Sequence, residues 1–425
     1  MRPIGTGAKL TGLIISVIVT MSGSIIGGVM LDRLVLADFV PSMNVQHAVG
    51  PDFRLISEAW DIISTRYVDH QAVQPQKLTY GAIAGIVNAL GDTGHSAFLS
   101  PEMLSMESHF LQGNITGIGA QISIEEGHLV ILAPLDGSPA QKAGLQSGDI
   151  ILRVNREDIT GLPLEQAVKR IAGKPGTSVT LTILNSKIGQ AREITIVRAK
   201  ITVQNVRWQH LSGSKAAHLR IAGFSQGVTK EASKALQEIV NQGLTGIILD
   251  LRDNPGGMLS EAIGTASQFL SSGTVVLEKD SKGDVKTIPV EHGGLAPEIP
   301  LVVMINGGSA SGSEIVAGAL KDANRAALVG EKTFGKGTVL QKFDLSDGSA
   351  MLLAVAELIT PAGHVIWHKG IAPDFEVSLP IAAIPLYPDR ERSMDSAQLQ
   401  ASGDTQLLKA LDLLQHPAGK NMARE

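Results

Sequence analysis

Apolar and polar positions follow a different rhythm in each part of the chain. Residues 10–31, LTGLIISVIVTMSGSIIGGVML, carry no charge and show no polar face. As a helix this run spans about 33 Å, enough to cross a bilayer core. From Phe53 to Asp69, Ile56, Trp60, Ile63 and Tyr67 recur every three or four positions, which predicts an amphipathic helix. Residues 78–90, LTYGAIAGIVNAL, predict a second, and GDTGHSAFLSPE after it reads as a loop. From about Gly113 short β-rich runs alternate with glycine turns, with helices predicted at Pro139–Ala143 and Pro163–Ile171. From about Ile201 to Leu379 continuous apolar strands end in glycine-rich loops and then helices: GIILDLRDNPGG before MLSEAIGTASQFL, and LVVMINGG before another apolar run. That is an α/β pattern, in which helix N-termini converge their N–H groups at the carboxyl ends of the strands. Residues 378–404 are proline-rich and polar and read as a linker; TQLLKALDLL then predicts an amphipathic helix that either docks on the core or mediates homo-oligomerisation.

Composition narrows the classes. The hydrophobic share of 44% against 18% charged is that of a globular protein, and 425 residues call for several domains. A net charge of −5 with no long basic run argues against nucleic acid as a partner. The absence of cysteine excludes disulfides, thiol catalysis and Cys-ligated zinc. Arg2 and Lys9 precede the uncharged run, so the N-terminus is expected in the cytoplasm and the body outside it. The length of the run favours an uncleaved signal-anchor at residues 10–31, while Val35-Leu36-Ala37 offers a cleavage site that would leave a periplasmic protein. His95 is expected to hydrogen-bond within its loop, and His364 and His368 lie in a Pro/Gly-punctuated stretch unsuited to a metal pair. No metal or cofactor is expected.

Chemistry concentrates in INGGSASGSEIVAGAL, where Ser309, Ser311 and Ser313 alternate at the mouth of a helix. A serine hydroxyl becomes a nucleophile only with a base in reach. The stretch is not G-x-S-x-G, so an α/β-hydrolase elbow is unsupported, and no histidine sits in a triad context. Lys336, between Gly335 and Gly337, is the other candidate base. An ordinary lysine is only about 0.04% neutral at pH 7, so the role requires desolvation. On these residues alone a surface lysine in a glycine turn is the favoured reading. SGSK at 212–215 fits S-x-x-K, but it runs into a strand where that motif needs a helix.

Two resemblances extend this reading. The order of strands and helices from 105 to 199, with SPAQKAGLQSGDIILRVN, resembles a PDZ domain, which adds an extended peptide beside a β-edge. Gly117, Ile118, Gly119 and Ala120 fall on its carboxylate-binding turn. DLRDNPGG, GGSASGSEIVAGALKD, EKTFGKGTV and ITPAGHVIWHKGIAPDFEV, in that order behind the PDZ-like segment, resemble the carboxyl-terminal processing (tail-specific) proteases of peptidase family S41. The resemblance runs from about 53 to 415. It implies an α/β fold: a ClpP/crotonase-like protease core with an inserted PDZ domain and an N-terminal helical segment. The expected domains are a signal-anchor or signal peptide (1–37), an N-terminal helical region (38–104), the PDZ domain (105–199), the protease core (200–380), and a linker with a C-terminal helix (381–425).

The same resemblance assigns the nucleophile to Ser311 and the base to Lys336, 25 positions later. Ser309 and Ser313 become turn and capping residues, and Glu314 serves the helix start rather than the chemistry. The oxyanion hole is expected from the N–H groups of Gly312 and the Gly256-Gly257 loop. The family often places a lysine-orienting glutamine where this chain has Leu340; Gln341 follows, and it takes that role only if a bulge restores the face. Ala172 stands where family members often carry arginine, with Arg170 nearby. The implied function is a serine endopeptidase that acts on extracytoplasmic proteins recognised by their C-terminal tails, with an adaptor protein as a further partner. The alternative is a membrane-tethered PDZ adaptor with a catalytically weak or inactive core, which serine-reactive labelling distinguishes.

Overall fold

The computed structural model describes residues 51–416, except 93–95, 113, 126, 163, 186–188, 381–382 and 384. The apolar run 10–31, the cleavage site offered by Val35-Leu36-Ala37, and His95 therefore lie outside the described residues. Among the described residues no helix is long and apolar enough to cross a membrane. The chain divides into one unit up to Leu78 and another from Thr79. In the first, Pro51–Arg66 forms the expected amphipathic helix, with Ile56, Ile63 and Tyr67 exposed.

In the second unit, Ala120–Glu125, His128–Pro134, Ile150–Val154, Ser178–Asn185 and Gln190–Val197 form an antiparallel sheet in that order. Helices Pro139–Lys142 and Leu164–Ile171 complete the PDZ arrangement. The period of two places Val179, Leu181 and Ile183 in its core, while Thr180 and Thr182 face outward. Asn114–Gly117 leads into this fold and Ala199–Thr202 leads out, and the two pair as an antiparallel neck. Strand His128–Pro134 is buried from Leu129 to Pro134, so it has no solvent face.

The larger core is built on a six-stranded sheet in the order Val206–His210, Ala216–Ile221, Gly246–Asp250, Leu301–Ile305, Ala327–Gly330, Phe375–Glu376. All pairs after the first are parallel. Continuous apolar runs such as GIILD are what a sheet covered on both faces requires. Ile247 and Leu249 enter one core with helices Val228–Asn241, Leu259–Ser267 and Gly312–Asp322; Ile248, Val302 and Met304 enter another on the opposite face. The second core is closed by helix Thr405–Gln415 through Leu407, Ala410 and Leu411. Of the two readings of that helix, docking on the core is what the fold displays. Each buried leucine there contributes about 1.5–3 kcal/mol. A second, antiparallel sheet joins Ala97–Leu99, Ala350–Ile359, Thr274–Asp280 and Val285–Pro289, with Thr338–Asp344 also paired to Ala350–Ile359.

The stretch read as a linker differs from that expectation. It carries short helices Pro388–Glu391 and Ser396–Gln400 and buries Leu386, Tyr387, Glu391 and Leu399. Its polar residues are partners of buried charges, which composition alone registers as solubility. Glu391 bonds the fully buried His218 at 2.6 Å, and Asp250 bonds the other ring nitrogen at 3.1 Å. Burial pushes that imidazole down, but the two carboxylates outweigh it and hold its pKa up at about 9. Asp404 caps the last helix through Leu407 N–H and takes the buried Arg252 guanidinium at 2.9 Å.

Candidate active site

Strand Leu301–Ile305 ends in Asn306, and the chain turns through Gly307 and Gly308 to the three serines. Ser309 is buried: its hydroxyl donates to Leu251 O at 2.7 Å and accepts from Asn306 N–H at 3.0 Å. Ser313, also buried, donates to Asn254 O at 2.8 Å. Both serines thus bind the serine loop to the glycine loop after strand Gly246–Asp250. Ser311 alone keeps a partly exposed side chain. Its backbone, at φ 52° and ψ −112°, is outside the regions open to ordinary residues. Such a conformation costs about 1–3 kcal/mol and persists only where the surroundings enforce it.

Glu314 does the enforcing. It is fully buried at the third position of helix Gly312–Asp322 and accepts four hydrogen bonds. Oε2 takes Ser311 N–H at 2.8 Å and Lys336 N–H at 2.9 Å; Oε1 takes the Thr333 hydroxyl at 2.7 Å and Gly335 N–H at 2.6 Å. One oxygen therefore grips the backbones of both Ser311 and Lys336, which fixes them as neighbours. Burial pushes the Glu314 carboxyl above the ordinary glutamate value, against the pull of these donors.

The lysine loop is clasped from its other side by segment 366–370. A side chain on Gly337 would come 2.2 Å from Trp367 N, and one on Gly335 3.0 Å from Gly370 N. The two glycines are needed for backbone to close on backbone. Burial pushes the Lys336 amine below the ordinary lysine value, while Glu107, Glu314 and Asp92 pull it upward. The lysine is thereby biased toward the neutral form that a base requires.

The glycine loop lies against Ser311. A Cβ on Gly256 would fall 2.7 Å from Ser311 Cβ, and one on Gly257 2.3 Å from Phe224 O. Gly256 N–H is occupied by Asn254 Oδ1 at 2.9 Å. The N–H groups of Gly257 and Gly312 have no acceptor among the described residues. Of the three glycines expected to supply donors, Gly257 and Gly312 thus keep open N–H groups and Gly256 does not.

Gln341 makes no hydrogen bond to Lys336 among the described residues. It is exposed and makes no side-chain hydrogen bond among the described residues. Strands Thr338–Asp344 and Ala350–Ile359 do shift register between Val339 and Leu340, but the extra residue, Val355, is on the partner strand. The faces of the lysine strand are left as they were. Thr338, two positions after Lys336, has a buried hydroxyl without a hydrogen-bond partner among the described residues.

On the PDZ fold, Ile118 and Gly119 also present N–H groups without acceptors among the described residues. Their carbonyls are tied down by Ala140 N–H at 2.8 Å and Leu135 N–H at 2.9 Å. Gly117 and Gly119 have φ of 142° and 76°. Ala120 opens the end strand of its sheet, so an edge lies free beside the turn. Arg170 pairs loosely with Glu157, and the turn after helix Leu164–Ile171 is capped instead by Arg198, whose Nε donates to Ile171 O at 2.7 Å.

Sequence reading missed Glu107, which faces Lys336 from helix Pro101–Leu111, and it undervalued Glu314. The signal for Glu314 was present as serine followed three residues later by glutamate, a capping box. Nothing local marks Glu107.

The sequence model for peptidase family S41 matches residues 215–377, and that for the PDZ domain matches 110–184. The chain is 36% identical over 382 residues to the carboxyl-terminal-processing protease of Synechocystis sp., covering 85% of this chain and 86% of that protein. It is 33% identical to the carboxy-terminal processing protease CtpA of Bacillus subtilis, over 83% of this chain and 73% of that one. Among solved structures, the photosystem II D1 C-terminal processing protease superposes with a TM-score of 0.65 at 31% identity, covering 78% of this chain and 95% of that one.

Proposed function

The chain belongs to the carboxyl-terminal processing proteases of peptidase family S41, serine-type peptidases, and from that premise we propose that Ser311 and Lys336 form its catalytic dyad. Neutral Lys336 takes the Ser311 proton as the serine oxygen attacks a peptide carbonyl. N–H groups of Gly312 and Gly257 receive the oxyanion. Lys336 passes the proton to the leaving amine, and water resolves the acyl-enzyme. The observation that carries the reading is the single Glu314 oxygen bonded to both Ser311 N–H and Lys336 N–H. Labelling with a fluorophosphonate tests it: the parent should be labelled at Ser311, and Ser311→Ala and Lys336→Ala should lose both label and cleavage while folded. A Lys336→Ala enzyme with parental turnover would remove the dyad.

The PDZ turn Gly117–Ala120 is proposed to capture the free C-terminus of substrates. Amidating a test tail should weaken binding, and equal affinity for amidated and free tails would refute the carboxylate contact. The body is proposed to lie outside the cytoplasmic membrane, on the strength of the uncharged run behind Arg2 and Lys9. Protease added to intact spheroplasts should digest it; full protection would reverse the orientation.

A further inference from the structure

Behind the glycine loop lies a buried ionic cluster, and one of its members comes from the PDZ fold. Asp136 follows strand His128–Pro134 and has a side chain only 2% exposed. Its carboxylate takes Arg220 in a fork, Oδ1 from Nη2 at 3.0 Å and Oδ2 from Nε at 3.1 Å, and also binds Arg207. Arg220, on strand Ala216–Ile221, is fully buried and stacks over the Tyr387 ring at 4.6 Å. Its Nη1 donates to the carbonyl oxygen of Arg252. Arg252 is the residue at which strand Gly246–Asp250 gives way to the turn that carries Asn254, Gly256 and Gly257.

We propose that Asp136 is a positioning residue of the protease: the PDZ fold supplies the counterion that aims Arg220 at Arg252 O and so holds the oxyanion loop against Ser311. This rests on the reading of Ser311 as nucleophile and Gly257 as oxyanion donor. A guanidinium has donors in a fixed fork, so satisfying one side with a bidentate carboxylate determines where the remaining N–H points. Arg220 also lies 3.6 Å from Asp250 Oδ1. With Asp136 gone, the buried cation would turn toward that remaining carboxylate and release Arg252 O. The oxyanion loop has little room for such a change, because a Cβ on Gly256 would fall 2.7 Å from Ser311 Cβ and one on Gly257 2.3 Å from Phe224 O.

The same segment forms the back wall of the proposed tail site. Leu135 N–H bonds Gly119 O at 2.9 Å, and a side chain on Gly119 would strike Ser138 Cβ at 2.4 Å. A purely structural role for Asp136 would be to seat the PDZ fold, and it would be felt in tail binding. A positioning role is felt in turnover, including turnover of substrates that have no tail.

The test compares Asp136→Asn with the parent on two substrates, a small activated ester and a tailed polypeptide, and measures tail-peptide affinity separately. We expect kcat to fall about ten- to hundredfold on both substrates, in line with partial displacement of an oxyanion donor. KM for the polypeptide and Kd for the tail peptide should stay within about twofold, and Asp136→Glu should recover part of the loss. A folded Asp136→Asn protein with parental kcat on the ester, or one altered only in KM and tail affinity, would overturn the proposal. Should Asp136→Asn fail to fold, Arg220→Lys carries the same test, because a lysine cannot grip Asp136 with a fork and reach Arg252 O together. It should show the same loss of kcat at unchanged tail affinity, and parental kcat in that variant is equally fatal. If the parent neither cleaves the ester nor accepts a fluorophosphonate at Ser311, the dyad reading fails first, and the two failures are told apart.

Discussion

Glu314→Gln separates geometry from stability at the centre of the site. All four partners of the carboxylate donate, and an amide can accept on only one of its two ends. If the amide oxygen keeps Ser311 N–H and Lys336 N–H, the amide nitrogen faces Thr333 and Gly335. The Thr333 hydroxyl can turn and accept, since it is a rotor that already accepts Ile371 N–H at 2.7 Å. Gly335 N–H cannot, and an orphaned buried N–H costs about 1–3 kcal/mol. Against this, removing a charge from a fully buried position recovers desolvation energy, which is why burial pushes the parent carboxyl up. The two effects nearly cancel, so global stability should fall by no more than about 2 kcal/mol. Turnover should suffer more: the loop is repelled one residue from Lys336, and we expect kcat to fall about tenfold or more. The sign of the pH dependence follows. Because the folded carboxyl lies above its unfolded value, protonation favours the folded state as pH falls through that window. Acid should therefore extinguish activity through this group before it unfolds the protein, and the variant should lack that acid limb. Urea unfolding and kcat against pH read both quantities. An enzyme with parental kcat, or one whose loss of kcat merely tracks loss of fold, refutes the reasoning.

Lys336→Met should abolish turnover yet raise stability at pH 7, since burial holds the folded amine below its ordinary value. By linkage the parent then gains stability as pH rises from that depressed value toward about 10.4, and the variant should not; denaturation midpoints at pH 7 and 10 check this. Gly257→Ala sets a Cβ 2.3 Å from a backbone oxygen at φ 146° and should cost about 2–5 kcal/mol by thermal unfolding. Gly256→Ala presses on Ser311 instead, and should lower kcat on the order of a hundredfold. Gln341→Ala, at an exposed position without a side-chain hydrogen bond among the described residues, should leave kcat within about twofold; a tenfold loss would restore the glutamine to the site.

The parts of the fold legible in the sequence are those governed by period. GIILD and LVVMI have no polar face, and a strand without one must be covered on both sides, as both are. SVTLTILN alternates, and its alternate residues are the PDZ core. The polar stretch 386–404 defeats the same reasoning. Periodicity treats Glu391 and Asp404 as solvent-facing, whereas they meet His218 and Arg252, residues 173 and 152 positions earlier. A buried charge is marked by its partner, and the partner is visible only once the chain has folded.

The site divides along the same line. Ser309, Ser311 and Ser313 are close in sequence, and their division of labour follows from one turn: two hydroxyls point back to the glycine loop and one is left outward. Glycines 256, 257, 335 and 337 were legible because only glycine tolerates backbone at such range. What stayed hidden are the carboxylates that hold these loops in place. Glu314 looks like a helix cap and is one, through Ser311 N–H; its other three bonds reach residues 333–336, beyond any local pattern. Asp136 looks like a turn residue of the PDZ fold, and no reading of that fold alone predicts Arg220. In both cases a side chain whose local role is satisfied also carries a long-range one, so the substitutions most informative about catalysis lie at residues that touch no substrate.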